Sequence, residues 1–382
     1  MHPDPRNGRI DMLRGVSILL VLLHHFNIAY PLQDTVLAAT LGWPAVRAVA
    51  RNGNYGVTIF FVISGFLITT NALERWGSLE RIRLPGFYAL RAARILPGLF
   101  LALLAVDTLA LAGVRIFDNR AGAPVSLWTV NLAGATFWMN VLITQHGWIN
   151  YPLGVLWSLS VEAVFYLLFP LACVGLRRPS VRLALALAAI CIGPLYRYAH
   201  AGDEGGFLYA YPACFDAIAI GCCAAVLARQ RPFPVLQQRA VRALVAAAMA
   251  ALYLAWPIAQ SHVLGVSAMA LATALLLLGS GRAAPLSRPA RALAACGRRS
   301  YEIYLFHLLV LGSMRTLMPA AMIAGDAKTV LLAAYLVLSV AVGACVAWSW
   351  SDPINAAWRR RWVRYPASAP SADGRGGPSA AN

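Results

Sequence analysis

Eight ionisable side chains sit inside stretches that are otherwise apolar enough to cross a bilayer: Arg14, His24, His25, Asp107, Glu162, Asp216, Glu302 and His307. On insertion scales a charge at the bilayer centre costs roughly 2.5–3.5 kcal/mol, so each of these marks a functional site unless a partner accounts for it. Arg14 and His25 are eleven positions apart on one span, about three helical turns and about 16 Å, so they share a face. His24 points about 100° away. Plain alternatives exist: Arg14 could snorkel to the interface, and a buried histidine could simply satisfy a core hydrogen bond. Two adjacent histidines on a span favour chemistry, because imidazole can take and return a proton near neutral pH.

Glu162 lies in Leu156-Trp157-Ser158-Leu159-Ser160-Val161-Glu162-Ala163-Val164-Phe165-Tyr166. Ser158 and Glu162 are at i and i+4, with Tyr166 one turn further, which makes a polar stripe that should face a bundle interior or a wet cavity. An interhelical hydrogen-bond cluster is the structural alternative. Ser300, Tyr304 and His307 share a face at the start of a later span, with His307 about 10 Å in from its cytoplasmic side. Arg91 and Arg94 form R-x-x-R one turn apart, near Arg81 and Arg83. Guanidinium forks at that spacing could grip a phosphate-rich cytoplasmic ligand, although membrane orientation alone also explains arginines there. Asp216 could pair with a buried arginine or histidine.

The elements that must position these groups are membrane helices. The 382 residues are 60% hydrophobic and 12% charged, against about 25% charged in a soluble domain. This length allows one compact membrane domain and leaves no room for a large soluble catalytic domain beside it. The net charge of +17 would suggest nucleic acid in a soluble protein. Here the basic residues sit in short loops between apolar runs, so no nucleic-acid partner is expected. The seven cysteines lack C-x-x-C spacing and read as small core residues. No metal-ligand set is visible. Arg6 and Arg9 precede an apolar run as in a signal peptide, but Arg14, His24 and His25 within it point to a retained first span.

Eleven apolar segments run over approximately 11–30, 54–73, 92–114, 126–145, 153–175, 182–199, 207–228, 242–260, 263–281, 300–318 and 329–351. Arginine clusters occupy 75–94, 177–182, 229–242, 282–299 and 359–364. If 126–145 does not cross, every cluster falls on the N-terminal side, and 25 of the 32 basic residues lie inside. Arg47, Arg51, Arg115, Arg120, Arg197, Arg315 and Lys328 then lie outside. If 126–145 crosses, the asymmetry collapses. The positive-inside rule therefore predicts an all-α polytopic bundle of about ten transmembrane helices with both termini cytoplasmic. It leaves 126–145 interfacial or re-entrant on the outer face, as Trp128, Asn131, Trp138 and Asn140 suit. A membrane domain over 1–355 and a basic cytoplasmic tail over 356–382 are expected, the end of the tail disordered by its Ala/Ser/Pro/Gly composition.

Four stretches resemble acyltransferase family 3, the multi-span membrane acyltransferases that decorate bacterial cell-surface sugars. Leu13-Arg14-Gly15 through His25 is similar to the family's R-x10-H. Gly56 through Ile68, containing Phe60-Phe61-Val62-Ile63-Ser64-Gly65-Phe66-Leu67, resembles F-F-x-x-S-G-F-L. Phe87-Tyr88 through Arg91, Arg94, Ile95 and Pro97 resembles R-x-x-R-I-x-P. Trp157-Ser158-Leu159-Ser160-Val161-Glu162 with Phe165-Tyr166 resembles W-S-L-S-x-E-x-x-F-Y. The resemblance covers about residues 9–355. It departs at Ala163, where a second acid is common, at Tyr304-Leu305-Phe306-His307 in place of Y-L-W-H, and at Asp352-Pro353 in place of E-r-P.

The resemblance implies transfer of an acyl group, usually acetyl, from cytoplasmic acyl-CoA to a hydroxyl of a glycan or glycolipid, by a multi-pass protein of the bacterial inner membrane. No permanently bound cofactor is implied and no metal is needed. Arg91 and Arg94, with Arg14, would hold the donor phosphates. His25 would act as general base or transient acyl acceptor. Glu162 would orient or charge-balance that histidine or the acceptor, and Ser64, Ser158, Tyr304 and His307 would line the path. A proton-coupled secondary transporter is the competing class, because intramembrane His, Glu and Arg also build proton relays. A non-catalytic glycolipid-handling protein is a third.

Overall fold

A computed structural model describes residues 7–281 and 286–362, with side chains up to Arg360. Arg6, Arg282, Arg364 and Arg375 of the arginine count, and the tail beyond Trp362, lie outside the described residues. Among those described there are no strands, only one isolated bridge between Asn119 and Asn150. Ten long helices carry the fold: α1 Gly8–Ala29, α2 Asn54–Trp76, α3 Leu84–Leu111, α4 Leu156–Gly175, α5 Pro179–Ala199, α6 Tyr211–Gln230, α7 Arg239–Ala255, α8 Ile258–Leu278, α9 Ser300–Leu317 and α10 Ala327–Val346. Each matches one of the apolar segments expected to cross. Eight stretches of the described chain are long and apolar enough to span a bilayer; α7 and α9, at 17 and 18 residues, are not among them. The protein is an all-α polytopic membrane bundle.

Segment 126–145 is two short helices, Leu127–Ala135 and Met139–His146. Nine residues of helix rise only about 14 Å, so neither piece can cross. The break falls at Phe137, a non-glycine residue at φ 65°, where the left-handed backbone is strained. The Tyr211 hydroxyl donates to the Phe137 carbonyl at 3.1 Å, pinning the corner to α6.

Helix ends and crossings follow from local chemistry. The Asn7 side chain caps α1 by accepting from the Arg9 N–H, and Arg9 in turn donates to the Ser280 carbonyl at 2.6 Å, tying the start of α1 to the end of α8. α2 and α6 cross where Gly65 and Gly221 face each other's backbone. A Cβ on Gly65 would collide with the Ile218 carbonyl, and one on Gly221 with the Val62 carbonyl. Small residues are what permit such close approach in a membrane bundle. Pro97 inside α3 cannot donate to the helix ladder. Near it two carbonyls of α3 accept from side chains, Ile95 from the Tyr301 hydroxyl at 2.6 Å and Pro97 from Trp350 Nε1 at 2.9 Å.

The arginine-rich stretch before α9 is itself a helix, Arg288–Arg298. It lies along the N-terminal half of α1, and its Gly297 and α1's Gly15 each abut the other's backbone. α9 therefore starts level with the middle of that half, not with the first residue of α1. The two helices run parallel, and at their far ends the Tyr30 hydroxyl donates to the Met318 carbonyl at 2.7 Å. The expected boundary at 355 falls inside the helix Asp352–Trp362, which is anchored by the ion pair of Asp352 with Arg299.

Candidate active site

The depth at which α9 begins decides the site. His307 is the eighth residue of α9 and His25 the eighteenth of α1, yet their rings face each other with centroids 5.0 Å apart. Sequence reasoning gave His307 a path-lining place about 10 Å from the cytoplasmic surface. The structure corrects this by setting it directly opposite His25. His25 Nδ1 lies 2.9 Å from the Val21 carbonyl and His307 Nδ1 2.6 Å from the Tyr304 carbonyl. A carbonyl can only accept, so Nδ1 carries the proton of each neutral ring and Nε2 keeps the lone pair. His307 Nε2 is buried without a hydrogen-bond partner, and His25 Nε2 has none among the described residues. His24 turns away, its Nδ1 3.1 Å from the Ala50 carbonyl and its ring against Gly53.

Trp148, which the sequence did not single out, borders the site beside His25. Its ring centroid is 6.4 Å from that of His25, and it sits in the loop just after the two short helices that do not cross.

From the histidine pair a polar track runs along α4 and α9. The Ser158 hydroxyl donates to the Tyr304 hydroxyl at 2.8 Å, and the Tyr304 ring lies 5.5 Å from His307. One turn further, the Tyr166 hydroxyl donates to Glu162 Oε2 at 3.0 Å and meets the Ser64 hydroxyl at 2.6 Å. Of the two places expected for Glu162, on His25 or on the acceptor, the structure does not give it the first: it belongs to a second cluster about a turn from Ser158. The reason is rotational and axial: His25 is fixed by its own helix carbonyl and ringed by His24, His307 and Trp148, while Glu162 is held by hydroxyls from α2 and α4.

That second cluster gathers the arginines. The Arg91 guanidinium lies 5.5 Å from the Tyr166 ring centroid and its Nε is buried without a partner. Arg94 Nη1 pairs with Glu302 Oε1 at 3.0 Å and stacks over Tyr301 at 5.1 Å. Glu302, given no role from sequence, is fully buried, and its Oε2 has no partner. Arg14 is within electrostatic reach of Arg94, Asp11, Glu162 and Glu302; no ion pair or hydrogen bond holds it among the described residues. With Arg298 4.0 Å from Asp11, four cations meet three carboxylates, and the one excess positive charge suits an anion. Arg91 and Arg94, both expected to hold the donor phosphates, differ in their surroundings: Arg94 is paired with a buried acid and Arg91 is not.

The remaining intramembrane ions have structural partners. Arg197 and Asp216 form a fully buried bidentate pair at 3.1 and 2.7 Å, with Ser267 donating to the same carboxylate at 2.6 Å. Asp107 accepts from Asn131 at 2.7 Å. Among the described residues no group of three or more His, Cys, Asp or Glu side chains could hold a metal ion.

A profile of the acyltransferase domain family, acyltransferase 3, matches residues 7–350. The chain belongs to that family. It is 27% identical over 162 residues, 42% of its length, to the peptidoglycan O-acetyltransferase OatA of Listeria monocytogenes, of which the match covers 23%. It is 28% identical over 174 residues to a protein of Staphylococcus aureus named as a candidate O-acetyltransferase, covering 44% of this chain and 24% of that one. It is 27% identical over 231 residues to YrhL of Bacillus subtilis, named as a candidate peptidoglycan O-acetyltransferase, covering 57% and 33%. The chain spans about a quarter to a third of these relatives. No solved structure matches it.

Proposed function

We propose that this membrane acyltransferase moves an acyl group, acetyl by the family resemblance, from cytoplasmic acyl-CoA to a hydroxyl of a cell-surface or lipid-linked glycan, within the bacterial inner membrane. Its place there, with ten crossings and both ends cytoplasmic, is supported by the arginine asymmetry and by the short helices over 126–145. The observation that carries the reaction is the facing pair His25 and His307, each with Nδ1 tied to a carbonyl and Nε2 free. The names of the three relatives support acetyl as the group transferred.

Donor and acceptor begin on opposite sides of an apolar layer about 30 Å thick. Arg14 and Arg91, with excess positive charge beside Glu162 and Glu302, hold the donor's phosphates at the inner end. The donor's thioester arm lies along Ser64, Tyr166, Ser158 and Tyr304 toward the histidines. His25 Nε2 takes the proton of the acceptor hydroxyl as its oxygen attacks the thioester carbonyl carbon. The carbon–sulfur bond breaks, and the proton passes from His25 to the departing thiolate. His307 Nε2, also an acceptor, takes a hydrogen bond from a neighbouring hydroxyl of the same sugar and so positions the acceptor. Membership of an acyltransferase family weighs against the transporter reading.

In proteoliposomes given radiolabelled acetyl-CoA and an acceptor glycan, label should move to glycan. Arg91→Ala should raise the KM for acetyl-CoA by on the order of tenfold, the loss of one charge-assisted phosphate contact. An unchanged KM would return Arg91 to membrane orientation alone.

A further inference from the structure

Seven basic side chains fall on the outer side of the expected topology, where the positive-inside rule gives them no role. Four are held by the protein: Arg51 donates to the Leu254 carbonyl, Arg120 to the His146 carbonyl, Arg197 pairs with Asp216, and Lys328 with Asp34. Of the other three, Arg47 lies elsewhere, while Arg115 and Arg315 border one open cleft of about 570 Å³, formed where the chain leaves the ends of α3 and α9. No carboxylate is among the residues lining it. That volume is in the range of a small-ligand site.

Two further features give the cleft a direction. Leu111 and Leu317, the last residues of α3 and α9 and the chain neighbours of the lining residues Ala112 and Thr316, are 86% and 81% exposed. The Arg315 guanidinium lies 5.1 Å from the Tyr151 ring centroid, and the Tyr151 carbonyl accepts from Trp148 Nε1 at 3.1 Å. Trp148 is the residue whose ring lies beside that of His25. The cleft thus joins an exposed apolar rim, a pair of guanidiniums and the wall of the histidine site.

We propose that this cleft binds the phosphate of a lipid-linked acceptor glycan. Arg115 and Arg315 grip the phosphate oxygens, the lipid lies along Leu111 and Leu317, and the sugar passes beside Tyr151 and Trp148 to the histidines. The sugar's destination rests on the acyl-transfer reading; binding of a phosphate-bearing lipid at the cleft does not.

The test uses purified full-length protein in detergent, titrated with geranylgeranyl phosphate, with geranylgeraniol and inorganic phosphate as separate arms. Geranylgeranyl phosphate should bind, and Arg115→Gln combined with Arg315→Gln should weaken it by on the order of 100-fold, about tenfold per lost charged contact. A double lysine variant, which keeps both charges, should recover part of the affinity and shows that the site still folds. His25→Ala should bind as wild type does. Equal binding by the double glutamine variant, or by geranylgeraniol, overturns the proposal. Displacement by inorganic phosphate at equal concentration overturns the lipid part and leaves a simple anion site. Binding as expected with no acyl transfer by any variant keeps the cleft and sinks the reaction.

Discussion

His307 offers one atom that the fold leaves unsatisfied, a buried Nε2 facing His25. An unpaired buried polar atom costs about 1–3 kcal/mol, so a purely structural histidine here would be a poor choice. We predict that His307→Leu lowers acyl transfer by about a hundredfold, the lower range for a proton-handling group, while the melting temperature stays level or rises. A lower melting temperature with normal transfer would make His307 structural. Arg94 differs from Arg91 in the same terms. Its loss strands the buried Glu302, and Arg94→Ala should cost about 3 kcal/mol of stability. Adding Glu302→Gln should restore most of that, read by thermal unfolding in detergent. No recovery in the double variant would mean that the pair is not the reason Arg94 is there.

The helices were legible because their apolar runs and flanking arginines obey bilayer physics, and every segment expected to cross became a long helix. Segment 126–145 was legible as non-crossing from charge asymmetry alone, though its division at Phe137 was not, since no glycine marks that left-handed residue. Relative depth was illegible. The Arg288–Arg298 helix beside α1 sets where α9 begins, and this helix read from sequence as a loop of orienting arginines. For that reason His307 was placed too shallow, and Arg94 and Glu302, 208 residues apart, were not paired; Glu162, expected to serve the histidine or the acceptor, lies away from the histidine because hydroxyls on α2 and α4 gather there. The contact holding α2 to α6 rests on Gly65 and Gly221. Gly221→Leu should destabilise the bundle by about 1–3 kcal/mol or more, as overpacking does, and lower the yield of folded protein. A fully stable Gly221→Leu protein would show that the helices can separate there at no cost.

At the scale of the whole molecule the bundle holds two polar regions at different levels: a cluster of Arg14, Arg91, Arg94, Glu162 and Glu302, and, toward the other end of the helices, the histidine pair beside Trp148 and the Arg115–Arg315 cleft. A track of hydroxyls from Ser64, Tyr166, Ser158 and Tyr304 runs between them. Such a layout suits a reaction whose donor and acceptor arrive from opposite faces. It was only half readable from sequence, because the residues of the track are spread over α2, α4 and α9 and only packing aligns them. The most direct measurement is mass spectrometry of surface, lipid-linked and secreted glycans from cells expressing the wild-type protein, no protein, or the His25→Ala variant. The account predicts one acyl group on the glycan in the first strain and its absence from the other two. Glycans of equal mass in all three, or acylation that survives His25→Ala, would contradict it.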